Sequence, residues 1–201
     1  MVTTTTKMGA DRTGGLRVLL DPCDTELDEA FAFEGSAIVW SRSDGQRAFG
    51  VTPEIIDTWS TRFDTIAVEA DGSRRRPFKA PREYEPVVPA STTTLVGCVG
   101  MAAIGAPIAV GCHRPDRVAA LVGGVETDLL TEDRLVQVLL DLRGSRKDCP
   151  PGARFAVLIN RVRDEDRRVV DEVRRLVAAR DPSVAVVAMA DLPVGELPDS
   201  V

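Results

Sequence analysis

The chain has 201 residues, 44% of them hydrophobic and 28% charged, a globular composition that excludes a disordered tail or a fibrous chain. A formal net charge of −6 argues against general nucleic-acid binding, which needs a basic surface to neutralise phosphates. No apolar run approaches the ~20 residues that cross a bilayer, and the opening MVTTTTKMGADR lacks the basic and apolar regions of a signal peptide, so the expectation is a soluble cytoplasmic protein with no membrane partner.

In chain order, the β-branched run Val2 to Thr6 predicts a strand, and Leu16 to Leu20 is a second apolar run. Ser36 to Trp40 and Gln46 to Val51 flank the turn Ser43-Asp44-Gly45 and predict a hairpin, an insertion around 36–51. Pro53 to Thr61 reads as a helix, with Thr52 as N-cap and Pro53 at its first position. Asp64 to Ala70 reads as a buried strand, because Ile66-Ala67-Val68 is apolar on both faces. Thr94 to Val99 is another strand. Pro115 to Leu121 reads as a short helix closed by Gly123-Gly124, and Glu132 to Leu142 as an amphipathic helix capped by Thr131 and ended by Gly144. Phe155 to Ile159 is a buried strand, Asp164 to Arg180 a charged helix and Ser183 to Met189 a last strand. This alternation predicts one α/β domain over 1–201, a mostly parallel sheet flanked by helices, with ligands at the carboxyl ends of its strands.

Chemistry concentrates in the segment from Glu69 to Pro81. Strand alternation puts Glu69 and Asp71 on one side, where two carboxylates repel unless a cation lies between them. Mg²⁺ suits that position, held by carboxylates and substrate phosphates; the following arginines or Lys79 are the other source of positive charge. Gly72 permits a sharp exit, and Pro77, Pro81, Pro86 and Pro89 stiffen the loop that carries Arg74, Arg75 and Lys79. A stiff cationic loop at a sheet edge points to anion recognition; the plainer reading is a solvated, salt-bridged loop. Thr5, Thr6 and Lys7 arrive at the end of the first strand, either to contact phosphate or a metal-bound water, or as a polar edge strand. Asn160 follows a strand, either reading a nucleobase edge or capping the next helix. Arg114 precedes a helix whose N-terminus favours an anion, and His113 beside it reads as structural or as catalytic. The cysteines, Cys23, Cys98, Cys112 and Cys149, form no C-x-x-C pair and read as reduced thiols; zinc on Cys112 and His113 would need distant cysteines and lacks the usual spacings. The sequence carries no G-x-x-x-x-G-K-[ST] loop.

At these residues the chain resembles a known family. VTTTTKM at 2–8, GVTPEIID at 50–57, VEADGSRRRPFKAPREYEPVVP at 68–89, GCVGMAAIGAPI at 97–108, HRPD at 113–116 and LINR at 158–161 fall in the family's order. The family is YqeC, the selenium-dependent hydroxylase accessory proteins. The resemblance implies a P-loop NTPase-like fold and a role in maturing molybdenum hydroxylases that carry labile selenium, with the hydroxylase or its maturation factors as partners. It implies Mg²⁺ and a nucleoside triphosphate as ligands, with Glu69 and Asp71 as catalytic, metal-side carboxylates. Around the phosphates or another anion stand Thr5, Thr6, Lys7, Arg74, Arg75, Lys79, His113 and Arg114, and Asn160 meets the base.

Family members begin with a strand and a glycine-rich G-G-K-T loop before the threonine run. Here the threonine run opens the chain, so the expected fold lacks that first strand-loop-helix unit. A start assigned downstream of the natural one, or a shortened paralogue that binds a partner through the exposed edge, would account for it. In place of N-K-x-D, Asn160 is followed by Arg161, Val162 and Arg163, with Asp164 one place late, so no guanine preference is implied. Two rival readings remain: a non-catalytic interaction module that has lost nucleotide hydrolysis, and an enzyme acting on a phosphorylated or carboxylated metabolite.

Overall fold

The computed structural model describes residues 1–11 and 13–190, which cluster into two compact units. Of the predicted 1–201 domain, residues 12 and 191–201 lie outside the described residues. Unit 1 holds Met1–Gly72 and Arg82–Thr93; unit 2 holds Ser73–Pro81 and the chain from Thr94 on.

Unit 1 contains β1 (Val2–Thr4), β2 (Lys7–Gly9), β3 (Val18–Leu20), α1 (Asp24–Glu34), β4 (Ile38–Trp40), β5 (Arg42–Ser43), β6 (Arg47–Phe49), α2 (Pro53–Trp59) and β7 (Ala67–Glu69). A four-stranded parallel sheet runs β3-β4-β1-β7, and a three-stranded antiparallel sheet runs β2-β6-β5. The predicted hairpin is displaced. Its turn is present between β5 and β6, but Ile38–Trp40 pairs in parallel with β1 and β3. The reason is burial on both faces. Val39 packs with Leu19, with Leu27 and Ala30 of α1, and with Ile56 and Trp59 of α2, while Ile38 and Trp40 pack with Ala48 of β6. A strand apolar on both sides suits the interior of a parallel sheet. Thr3 and Thr4 are buried there because their hydroxyls donate to the carbonyls of Val39 (2.7 Å) and Glu69 (2.8 Å).

Helix α1 escapes sequence reading. Only Leu27 and Ala30 of it are buried, and its start is marked by the Cys23 N–H donating to Glu26 Oε2 (2.8 Å), not by a customary capping side chain. At its end Gly35 takes the left-handed conformation, φ 68°.

Helix α2 anchors a distant loop. Asp57 accepts hydrogen bonds from the Ser91 N–H (2.8 Å), the Ser91 hydroxyl (2.6 Å) and the Ala90 N–H (3.3 Å). Those bonds, the Ser91 hydroxyl foremost, hold its carboxyl below the ordinary range. A lowered carboxylate pKa stabilises the fold above the unfolded value and loses that stabilisation as pH falls through the folded one. Asp57→Ala is therefore expected to cost about 1–2 kcal/mol at neutral pH in urea unfolding, with the deficit narrowing below roughly pH 4. A deficit constant down to acid pH would contradict the assignment.

Unit 2 contains β8 (Phe78–Lys79), β9 (Thr94–Gly100), α3 (Ile108–Gly111), β10 (Cys112–His113), α4 (Pro115–Val122), α5 (Glu132–Leu140), β11 (Arg154–Val162), α6 (Arg167–Arg180) and β12 (Ala185–Ala190). A parallel sheet runs β9-β11-β12, and β8 pairs in parallel with β10. One sheet face, with Val99, Phe155, Val157 and Ile159, is buried in the cluster that includes Leu135, Val138 and Leu139 of α5 and Val170, Val173 and Val177 of α6. On the other face, among the described residues, Val96 is 44% exposed and Val187 50%. The predicted C-terminal elements all form, and the first turn of the predicted charged helix is 3₁₀ over Asp164–Asp166. The class is α/β with mostly parallel strands flanked by helices, as expected. Among the described residues no helix is long and apolar enough to cross a membrane.

Candidate functional site

In unit 1, β1 and β7 run parallel with Thr4 opposite Glu69, so their carboxyl ends lie side by side. The Thr5 N–H donates to the Glu69 carbonyl (3.1 Å), and the Thr5 hydroxyl donates to the Val87 carbonyl (2.7 Å). Thr5 Oγ1 thus spends its proton on backbone and faces any ligand as an acceptor, which suits a metal-bound water better than a phosphate oxygen. The Thr6 N–H donates to Thr4 Oγ1 (3.0 Å). The chain leaving β6 then crosses β1: Gly50 N–H bonds the Thr6 carbonyl (2.9 Å) and Val51 N–H the Thr4 carbonyl (3.0 Å). A Cβ at Gly50 would lie 2.2 Å from the Thr4 carbonyl oxygen, so the crossing admits only glycine.

Lys7 opens β2 and lies opposite Phe49, as does Arg42 from the other side. The Arg42 guanidinium sits 3.4 Å from the Phe49 ring centroid and the Lys7 ammonium 5.2 Å from it. The Asp71-Gly72 exit runs beside Lys7, a Cβ at Gly72 falling 3.8 Å from the Lys7 carbonyl oxygen.

Glu69 is half-buried. Burial pushes its carboxyl pKa upward, and the charge of Asp71 adds to that rise. The two carboxylates therefore feel each other, and a cation between them would relieve both the desolvation and the repulsion. Among the described residues no group of three or more His, Cys, Asp or Glu side chains gathers in metal-binding array. Two carboxylates fit an ion that takes its other ligands from water and phosphate, as Mg²⁺ does.

In unit 2, Arg74 and Arg75 are exposed and left-handed (φ 52° and 64°), in a turn tied by Arg76 N–H to the Ser73 carbonyl (3.0 Å) and by the Ser73 hydroxyl to the Arg76 carbonyl (2.8 Å). The Arg76 guanidinium donates to the Val110 carbonyl. Lys79 lies opposite His113 across the β8–β10 pair, and the next residue, Arg114, is left-handed (φ 59°) at the N-cap of α4. The neighbouring Cys112 thiol is pushed up to about 11, chiefly by burial, so it is inert at neutral pH. Asn160 lies opposite Gly100, where a Cβ would meet Pro77 Cβ at 2.9 Å and Asn160 Oδ1 at 3.2 Å. Pro77, Gly100 and Asn160 thus meet at the carboxyl ends of β9 and β11. Arg161 beyond them is also left-handed, φ 59°. Such backbone costs of order 1–3 kcal/mol each for a non-glycine residue, and this kind of strain gathers where loops serve ligands.

The family model described as YqeC protein matches residues 1–116. The chain belongs to the YqeC family. It is 35% identical over 125 residues to an uncharacterized protein, YqeC, of Escherichia coli K12, an alignment covering 61% of this chain and 48% of that protein. The chain thus spans about half the length of the curated relative it matches. No solved structure matches it.

The YqeC match takes in all of unit 1 and, in unit 2, the residues through Asp116, so every predicted site residue except Asn160 falls inside it. The YqeC motif at 68–89 is shared out between the units, 68–72 and 82–89 in the first, 73–81 in the second. Within unit 1 the fold assembles Thr5, Thr6, Lys7, Glu69 and Asp71 at one sheet edge. Within unit 2 it assembles Lys79 with His113, and separately Asn160 with Pro77 and Gly100. Sequence reading passed over Arg42, Phe49 and Gly50. The hairpin register was the available signal, since pairing across Asp44-Gly45 puts Arg42 against Phe49.

Proposed function

We propose that this chain binds a magnesium-complexed phosphate compound at the carboxyl edge of the unit 1 sheet, as a cytoplasmic accessory protein in the maturation of selenium-dependent molybdenum hydroxylases. The observation that carries the binding reading is the β1–β7 register, which brings the threonine run, Lys7, Glu69 and Asp71 to one edge. Ligands of parallel α/β sheets bind outside the carboxyl ends of strands. Glu69 and Asp71 hold the ion, Thr5 Oγ1 accepts from a water on it, and Lys7 neutralises phosphate. The accessory role is supported by membership of the YqeC family and by the resemblance drawn from the motifs. A nucleoside triphosphate is the first ligand to test, on a P-loop NTPase-like ancestry.

The test is calorimetric titration of ATP and GTP with and without Mg²⁺. Asp71→Asn is expected to lower the Mg²⁺-dependent affinity about tenfold, or ~1.4 kcal/mol, and to leave metal-free binding alone. Wild-type binding indifferent to Mg²⁺ would remove the ion from the reading.

Apolar side chains exposed, among the described residues, on one face of the β9-β11-β12 sheet favour a second reading, a protein-interaction module. Val96, Cys98, Val187 and Met189 are exposed there, and a parallel sheet is ordinarily covered on both faces. A stable complex with a purified hydroxylase, formed without nucleotide and undisturbed by Asp71→Asn, would decide for it.

A further inference from the structure

The outer face of the β2-β6-β5 sheet differs in character from the acidic chain around it. Ala48 is buried against Ile38 and Trp40, so strand alternation turns its neighbours Arg47 and Phe49 outward. Their cross-strand partners share that face: Gly9 opposite Arg47, and Lys7 and Arg42 on either side of Phe49. The face therefore carries three cations and one aromatic ring, and none of its strand positions is acidic. Lys7, Arg42 and Arg47 are all exposed. Asp44, in the turn, is occupied by the N–H groups of Gln46 (3.0 Å) and Arg47 (2.7 Å). Its charge is also felt by Arg47 and Arg42, which leaves one carboxylate beside three cations.

Phe49 gives the arrangement its order. A guanidinium 3.4 Å from the ring centroid is held by cation–π attraction while its N–H groups stay available to an anion. Lys7 is attracted to the same ring, so two like charges are held near one another. A multivalent anion offsets that repulsion. The face also continues from the site already described, because Lys7 directly follows Thr6 and the Asp71-Gly72 exit passes its carbonyl.

We propose that Arg42, Lys7 and Arg47, ordered on Phe49, form the phosphate-binding surface of unit 1 and take a polyphosphate of the pyrophosphate class. The inference rests on the placement of the ligand at the unit 1 edge and adds the residues and the anion class. Side chains of a hairpin here do the work that a glycine-rich loop does with backbone N–H groups.

The probe is inorganic pyrophosphate without metal, titrated at low ionic strength into the full chain. Wild type is expected to bind, with Arg42→Ala weakening the affinity at least tenfold. Phe49→Leu keeps every charge and is expected to weaken it severalfold, with folding checked by circular dichroism. Arg17→Ala, a cation elsewhere in unit 1 paired with Glu34, should change nothing. No binding by wild type, unchanged affinity in Arg42→Ala, or equal loss in Arg17→Ala overturns the proposal. So does displacement of pyrophosphate by an oligoglutamate peptide at equal charge, which would make the face a dock for acidic protein. Because no metal is present, failure of the magnesium reading leaves this result untouched: Asp71→Asn would be silent in the Mg²⁺ titration while Arg42→Ala still lost pyrophosphate.

Discussion

Gly50→Ala is expected to destabilise the protein by ~3 kcal/mol and to abolish phosphate binding with it. The added Cβ would stand 2.2 Å from the Thr4 carbonyl oxygen, 2.7 Å from its carbon and 2.8 Å from the Thr5 carbonyl carbon, all backbone. Backbone cannot rotate aside as a flexible side chain does, so the crossing must open. Opening it breaks the Gly50 to Thr6 and Val51 to Thr4 hydrogen bonds and frees β6, which carries Phe49, from the end of β1. For a chain of this size ~3 kcal/mol corresponds to a melting temperature lower by roughly 6–12 °C. Scanning calorimetry reads the shift directly, and an unchanged melting temperature would show that β6 does not cross β1 as described.

Phe78→Ala is expected to cost about 3–5 kcal/mol, the usual penalty for emptying a buried phenylalanine site. Phe78 is 2% exposed and belongs to the larger core cluster, and its two-residue strand sets Lys79 in register with His113. The substitution has a local readout besides a lower urea midpoint. Cys112 lies opposite Phe78 and is buried, so a thiol reagent should reach it slowly in wild type and much faster in the variant. Cys23, exposed in both, serves as the internal reference. Equal Cys112 labelling in the two proteins would mean that Phe78 does not seal that side of the core.

The parallel, helix-flanked character of the fold was legible because β4, β9 and β11 are apolar and the C-terminal helices amphipathic. Asp64 to Ala70, read as a buried strand, is instead the short edge strand β7 with Ala67 exposed, since among the described residues nothing pairs with it beyond β1. Thr131 caps α5 and Gly123 ends α4 as their residue types predict. What escaped was tertiary in origin. Ile38–Trp40 has the composition of a hairpin arm or of a buried parallel strand, and only the packing of Val39 on one face and Trp40 on the other decides between them. Helix α1 lacks a strong apolar stripe, and β8 and β10 are too short to carry a period. At the site, the threonine run and the Glu69 to Lys79 segment stood out by composition, but which carbonyl each hydroxyl bonds is set by strands distant in sequence. The Thr5 donation to Val87 and the position of Arg42 on Phe49 depend on such pairings.

The chain passes from one unit to the other at 72–73, returns at 81–82 and leaves again at 93–94. Neither body is therefore a continuous stretch that a single cut could release. During synthesis the first cannot be finished until its returning segment has left the ribosome, by which time 73–81 has already emerged without its β10 partner at Cys112–His113. A protease nick at any one of the three junctions should leave fragments that stay associated on a sizing column and separate only in denaturant.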